Sequence, residues 1–146
     1  QTIIFCEILE YLEEPKKALI EMKRVLSVNG YIVGSVPFLS PIHGDKEYDQ
    51  IRYTKTGLIN LFNLFGFKII KLNEMGSTSA VIYDILRINY AYSKNIISKI
   101  FVKLLFFITP IFSLLDKSKS NKQDYINTGY FFIIKKLIKL TLTNIN

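Results

Sequence analysis

The sequence predicts an α/β domain on a mostly parallel sheet, and three observations carry that expectation. Apolar, β-branched runs recur at residues 2–6, 31–36 and 67–72. The segments between them carry apolar residues at helical spacing, and proline or glycine marks where each helix begins or ends. Strand, helix, strand, helix, strand is the order that lays helices over a sheet.

Residues 2–6, Thr-Ile-Ile-Phe-Cys, read as a strand buried on both faces, because the run does not alternate with polar residues. Polar Glu7 ends it. Pro15 then opens a helix in which Ala18, Leu19, Met22, Val25 and Leu26 recur at helical spacing, while Lys23 and Arg24 complement the negative end of its dipole. Asn29-Gly30 stops the helix by supplying a left-handed residue. Residues 31–36 form a second buried strand, which Pro37 breaks, and 38–52 form a long polar loop. Thr54 or Thr56 caps the next helix, with Leu58, Ile59, Leu61, Phe62 and Phe65 toward the core. Gly66 closes it, and residues 67–72 make the third strand.

From 77 to about 115 the pattern is helical and strongly apolar, 118–124 is a polar break, and 129–134 returns as a strand. The tail after Lys135 reads as a strand end followed by a short helical or frayed segment. The chain thus divides into a core at 1–76, an apolar, basic helical insertion at 77–117, and a break, last strand and tail at 118–146.

The 146 residues suffice for one domain with a sizeable core, and 49% hydrophobic against 21% charged residues excludes global disorder. A single cysteine, Cys6, cannot close an intramolecular disulfide, and one histidine, His43, leaves no Cys- or His-rich metal site. The net charge of +7 is unevenly spread. Residues 1–75 hold nine basic and nine acidic groups, so the whole excess lies in 76–146, with ten basic and three acidic groups. Such asymmetry suits an anionic partner, a membrane surface or a nucleic acid, and equally a solvated basic face. No signal peptide is visible, and a chain whose first residues already read as a strand is expected to be part of a longer gene product.

Ligands of open α/β sheets bind beyond the carboxyl ends of the strands. Two polar clusters lie there in this sequence: Cys6-Glu7 with Glu10-Tyr11 after the first strand, and the loop from His43 to Arg52 after the second. Those residues carry a resemblance. Glu7-Ile8-Leu9-Glu10-Tyr11, the helix ending in Arg24-Val25-Leu26, Gly30, Val36-Pro37, then His43, Asp45, Tyr48-Asp49, Arg52-Tyr53-Thr54 and Gly66-Phe67 resemble the second half of class I S-adenosylmethionine-dependent methyltransferases of the type 11 kind. That family reads approximately E-x-L-E-H, R-V-L-x-P-G-G, V-P, H-x-x-P-x-D-Y-x-R-Y-T and G-F. The match covers roughly residues 2–76, and 128–136 resemble the family's last strand.

The resemblance implies a Rossmann-like fold in which this chain supplies the fourth to seventh strands, the last inserted antiparallel. It implies S-adenosylmethionine as cofactor, approached by Cys6 and Glu7, and methyl transfer in a cytoplasmic setting. Methyl transfer to a hydroxyl needs alignment and removal of a proton, and His43 is the candidate base. Tyr11, which stands where the family has His, joins Asp49 and Arg52 as candidate substrate contacts. Arg52 also suits a second role, pinning its loop through Asp45 or Asp49. The family's Gly-rich loop is missing, since no Gly-x-Gly occurs anywhere in the sequence.

The acceptor expected from the resemblance and from the basic apolar insertion is a hydroxyl of a sugar, glycan or lipid-linked small molecule. In residues 96–115, Lys99 and Lys103 interrupt the apolar run and Pro110 is expected to kink it, leaving twelve charge-free residues where a bilayer span needs about 20. A peripheral amphipathic helix, with Lys94, Lys99 and Lys103 toward lipid phosphates, fits that stretch. So does a cap over the site or a dimer element. The competing class is a noncatalytic methyltransferase-like module that binds a membrane or a partner protein. Nucleic-acid binding has only the charge behind it and is not expected.

Overall fold

The computed structural model describes residues 1–42, 47–117 and 126–137. In chain order these form β1 (Thr2–Cys6), a single 3₁₀ turn (Leu9–Tyr11), α1 (Pro15–Val25), β2 (Tyr31–Pro37), α2 (Lys55–Leu64), β3 (Phe67–Met75), α3 (Thr78–Tyr92), α4 (Ile96–Lys117) and β4 (Gly129–Lys136). Local chemistry sets most of the boundaries. Pro15 starts α1 as expected, and Thr54 caps α2 by accepting the Gly57 amide at 3.1 Å. Helix α1 ends at Val25, earlier than the Asn29-Gly30 pair. A turn follows in which Asn29 takes a φ of 63° and the Gly30 amide donates to the Ser27 carbonyl at 2.9 Å. Lys23 does not serve its own helix alone: its Nζ donates to the Phe65 carbonyl at 2.7 Å, capping the end of α2 and joining the two helices.

The sheet order is β1-β2-β4-β3. Strand β1 runs parallel to β2, whereas β4 lies between β2 and β3 and runs antiparallel to both. The three strands β1, β2 and β3 therefore point the same way, and the late strand fills the gap between two of them. Strand β3 runs on to Met75, beyond the Leu72 end that the apolar run suggests, because β4 pairs along its whole length.

Register decides which side chains meet. Ile32, Gly34 and Val36 of β2 lie opposite Ile134, Phe132 and Tyr130 of β4, and all of them face α1 and α2. Leu19 and Leu26 from the α1 segment and Leu58 and Phe62 from α2 complete this core, with the Phe62 and Phe132 ring centroids 4.8 Å apart. Gly34 is glycine because of that packing: a Cβ there would fall on the Phe5 carbonyl and the Phe132 ring.

The expectation that residues 2–6 are buried on both faces needs correction. Phe5 is buried, but Ile4 is 77% exposed, and Thr2 and Cys6 are exposed as well. The reason is alternation on a strand covered on one face: Ile3 and Phe5 turn toward the core, while Thr2, Ile4 and Cys6 turn to the opposite face. Strand β1 itself lies at the sheet edge, paired only with β2 among the described residues. An apolar strand edge of this kind is prone to pair with other chains.

The apolar insertion is a helical hairpin in which α3 packs on α4, broken at Ser93-Lys94-Asn95. The Ser93 amide caps Asn89, and Asn95 Oδ1 accepts the Ile97 amide at 2.9 Å to start α4. Helix α4 continues through Pro110. Proline has no N–H for the Phe106 carbonyl four residues earlier, and Thr109 Oγ1 donates to that carbonyl at 2.7 Å instead. The polar break at 118–124, the side chains of 112–115 and the tail after residue 137 lie outside the described residues.

Two variants separate the close-packed centre from the exposed edge. Gly34→Ala is expected to destabilise the fold by about 1–3 kcal/mol, read from urea unfolding. Ile4→Lys is expected to leave stability within about 0.5 kcal/mol of the parent and to reduce self-association in sedimentation velocity.

Candidate functional site

Strands β1 and β2 end side by side, Cys6 opposite Ser35. The chain leaves β1 through Glu7, which has a φ of 52°, in the left-handed region that a residue with a side chain seldom adopts. The neighbouring strand holds it there. The Glu7 amide donates to the Ser35 carbonyl at 2.9 Å, and Ser35 Oγ donates to Glu7 Oε1 at 2.6 Å. A carboxylate is thus fixed at the carboxyl end of the parallel strands, beside the exposed thiol of Cys6. Backbone strain of this kind persists where the surroundings impose it and recurs at functional sites.

The 3₁₀ turn follows and buries Leu9 and Glu10 completely. The Glu10 carbonyl accepts the amides of Gln50 at 3.0 Å and Ile51 at 3.3 Å, which brings the far end of the long loop onto the turn. Arg52 grips Asp49 there with both ends of its guanidinium. Nη2 donates to Oδ2 at 2.6 Å, Nη1 donates to Oδ1, and Nη1 also donates to the Ile51 carbonyl at 3.2 Å. The Asp49 carboxylate is fully shielded from solvent and the Arg52 side chain is 24% exposed, so the fork is a partly buried, bidentate pair.

Electrostatics tie the remaining groups to this pair. The hydrogen bonds it donates to Asp49 hold the Arg52 guanidinium charged, raising its pKa further above an already high value, and the negative charges of Asp49 and Glu10 add to the effect. Burial raises the pKa of the Tyr11 phenol; the charges of Asp49, Glu10 and Glu7 push it the same way, while Arg52 opposes them. Burial and the charge of Glu10 likewise raise Tyr53. Both phenols therefore stay protonated to higher pH than a free tyrosine.

The near end of the same loop leads to a cavity. Phe38 and Leu39 are anchored to the approach of β4, their amides donating to the carbonyls of Thr128 at 2.8 Å and Asn127 at 3.3 Å. Beyond them opens a space of about 750 Å³ lined by Leu39, Ile126 and, from α3, Val81, Ile82, Ile85 and Ile88. Ser40, Thr78 and Asn89 are the polar groups in its wall. That volume falls in the range of small-molecule sites, and the lining is the apolar kind with few polar groups that such sites use.

Five of the six residues singled out from the sequence lie on two adjoining segments: Cys6, Glu7 and Tyr11 at and after the end of β1, and Asp49 and Arg52 on the loop pinned against them. The sixth, His43, lies outside the described residues. Glu10, which the sequence places only in the polar cluster after the first strand, joins the five as a fully buried residue whose carbonyl holds the loop. The available signal was its place in the Glu7-Ile8-Leu9-Glu10-Tyr11 motif. The apolar cavity had no sequence signal, because its two walls are about 40 residues apart in the chain.

With this geometry in hand, the solved structures supply a relative in fold. The crystal structure of the [4+2]-cyclase SpnF matches with a TM-score of 0.53 at 17% sequence identity over 92% of this chain. The match takes in 48% of the SpnF chain, so this chain spans about half the length of that structure. No protein-family model matches the sequence, and no curated protein matches it. The class defined is an α/β domain of Rossmann-like architecture, similar in fold to SpnF.

The charge couplings are open to measurement by NMR of ¹³Cζ-labelled tyrosines. Glu10→Gln removes a negative charge that raises both phenols, so the titrations of Tyr11 and Tyr53 are expected to move down toward the ordinary tyrosine value. Asp49→Asn is expected to move Tyr11 and leave Tyr53 in place. Because the folded values are raised, these phenols contribute stability that is fully present below the unfolded tyrosine pKa and is lost as pH rises through the folded values.

Proposed function

We propose that the chain carries the acceptor-binding half of an S-adenosylmethionine-dependent methyltransferase, acting on a hydroxyl of a small molecule with a substantial apolar part, such as a lipid-linked sugar. The observation that carries this reading is the single loop anchored at one end to the Glu10–Tyr11–Asp49–Arg52 cluster and at the other to the apolar cavity. Polar and apolar parts of one acceptor would then lie along the carboxyl ends of β1 and β2. The SpnF match supports the fold alone, and one fold hosts many reactions.

The residues present fit one side of the cofactor. Glu7, held at a strained left-handed turn by Ser35, and the exposed Cys6 form a fixed polar edge where a ligand of an open α/β sheet belongs. The seat for the remainder is not among them, since the sequence holds no Gly-x-Gly. When bound, S-adenosylmethionine supplies an electrophilic methyl group on a sulfonium.

The chain's own groups would do the rest. Tyr11 donates a hydrogen bond to an oxygen of the acceptor and orients it. The Arg52–Asp49 fork keeps the loop rigid, so that the acceptor hydroxyl stays aligned for in-line attack. The cavity excludes water around the apolar part. His43 would take the proton of the acceptor hydroxyl as that oxygen is methylated.

A second reading is a noncatalytic methyltransferase-like module that binds a membrane surface or a partner protein, and the solvent-facing apolar side of α4, with Ile100 and Phe107 exposed, favours it. An amide NMR titration with S-adenosylhomocysteine separates the two. The enzyme reading expects shifts at Cys6, Glu7 and Ser35 with α4 unmoved, and about tenfold weaker binding in Glu7→Gln. No shift at millimolar ligand removes the cofactor contact assigned to Cys6 and Glu7, and shifts at α4 with anionic lipid in its place favour the module.

A further inference from the structure

Helix α4 has two unlike sides. Val102 is buried and Phe106 packs its ring on Tyr83 and Tyr90 of α3, at centroid distances of 5.4 and 6.3 Å. The other side faces solvent and is apolar throughout. Ile96, Ile100, Leu104, Phe107 and Ile111 are 73%, 57%, 58%, 75% and 58% exposed. At 3.6 residues per turn those five positions fall within an arc of about 80°, and Ile97, Phe101 and Ile108, all exposed, widen it. Lone exposed apolar residues need no explanation, but a continuous stripe along a helix does.

Charge says what covers the stripe. From Ile85 to Leu115 the chain has no Asp or Glu and four cations, Arg87, Lys94, Lys99 and Lys103. By the same helical geometry, Lys103 and Lys99 fall along one border of the stripe, while Lys94 is exposed in the turn just before α4. Lys99 Nζ lies 5.7 Å from the Tyr90 ring centroid, which steadies it at that border. An apolar helix face bordered by cations only is complementary to an anionic lipid surface, where acyl chains take the stripe and phosphates take the lysines. No helix among the described residues is long and apolar enough to cross a membrane.

We propose that the outer face of α4 is a docking surface for a bilayer containing anionic phospholipid, with the helix lying in the interface plane. Helix α3 then stands between the bilayer and the cavity, packing on α4 with one side and lining the cavity with the other. The proposal is independent of the chemistry at the strand ends, so loss of either reading leaves the other standing.

Sedimentation of the full chain with sucrose-loaded vesicles tests it, comparing pure phosphatidylcholine with a mixture containing phosphatidylglycerol. Strong, salt-sensitive binding to the mixed vesicles and weak binding to the neutral ones is expected. Phe107→Glu and Ile100→Glu, both at exposed positions, should abolish it with unchanged circular dichroism. Lys94→Gln combined with Lys103→Gln should weaken it about 25-fold, from about fivefold per lysine near such a surface. Ile4→Lys, at the sheet edge, should have no effect. Absence of binding to the mixed vesicles overturns the proposal, as does binding that survives Phe107→Glu. A dimer that dissociates in Phe107→Glu while the parent ignores vesicles also overturns it, assigning the face to a second copy of the chain.

Discussion

The ring of Phe132 over Gly34 is the contact on which the rest of this molecule depends. Strand β4 arrives last in sequence and takes the place between β2 and β3, and Phe132 can lay its ring over position 34 only because that position has no side chain. From there Phe132 reaches Phe62 of α2, and Tyr130 and Ile134 on the same face close the core. A buried phenylalanine of this kind is worth about 3–5 kcal/mol against alanine, a large part of the stability of a domain this size. The same strand also positions the polar end of the molecule, since residues 127 and 128, which lead into it, hold the start of the long loop.

The cluster at the other end of that loop obeys a different rule. A carboxylate taken out of water is costly unless charge and hydrogen bonds compensate. Asp49 is fully shielded and is met by both Nη atoms of Arg52, while Glu10, also fully buried, adds its charge to the field around Arg52, Tyr11 and Tyr53. Burial and the negative charge of these carboxylates hold both phenols protonated to higher pH, while Arg52 opposes that effect at Tyr11. Such an arrangement keeps hydrogen-bond donors ready at a strand end, next to a backbone turn at Glu7 that is itself held out of its preferred conformation.

The helical hairpin reverses the usual logic of a globular surface. Helix α3 carries apolar residues on two sides, one against α4 and one on the cavity, whereas α4 turns its most apolar stripe outward. Sequence hydropathy alone could not separate a buried helix from this one, because both read as apolar runs with scattered lysines. What distinguishes them is which residues α3 covers: Val102 is covered, and Phe107 is not.

Short-range features were legible in the chain itself. Pro15, Thr54, Gly66 and the β-branched runs determine where elements start and stop, because caps and turns are made by residues a few positions apart. The α/β class and the clustering of polar residues at strand ends follow from those elements in order. Only tertiary structure decided that β1 is an edge strand with Ile4 in solvent, that Lys23 serves α2, and that Glu10 is buried beneath the loop at Gln50 and Ile51. It alone joined residues 39–41 with α3 into one cavity. The physical reason is range: backbone preference and capping act over a turn of chain, whereas burial and charge coupling depend on partners that sequence distance does not reveal.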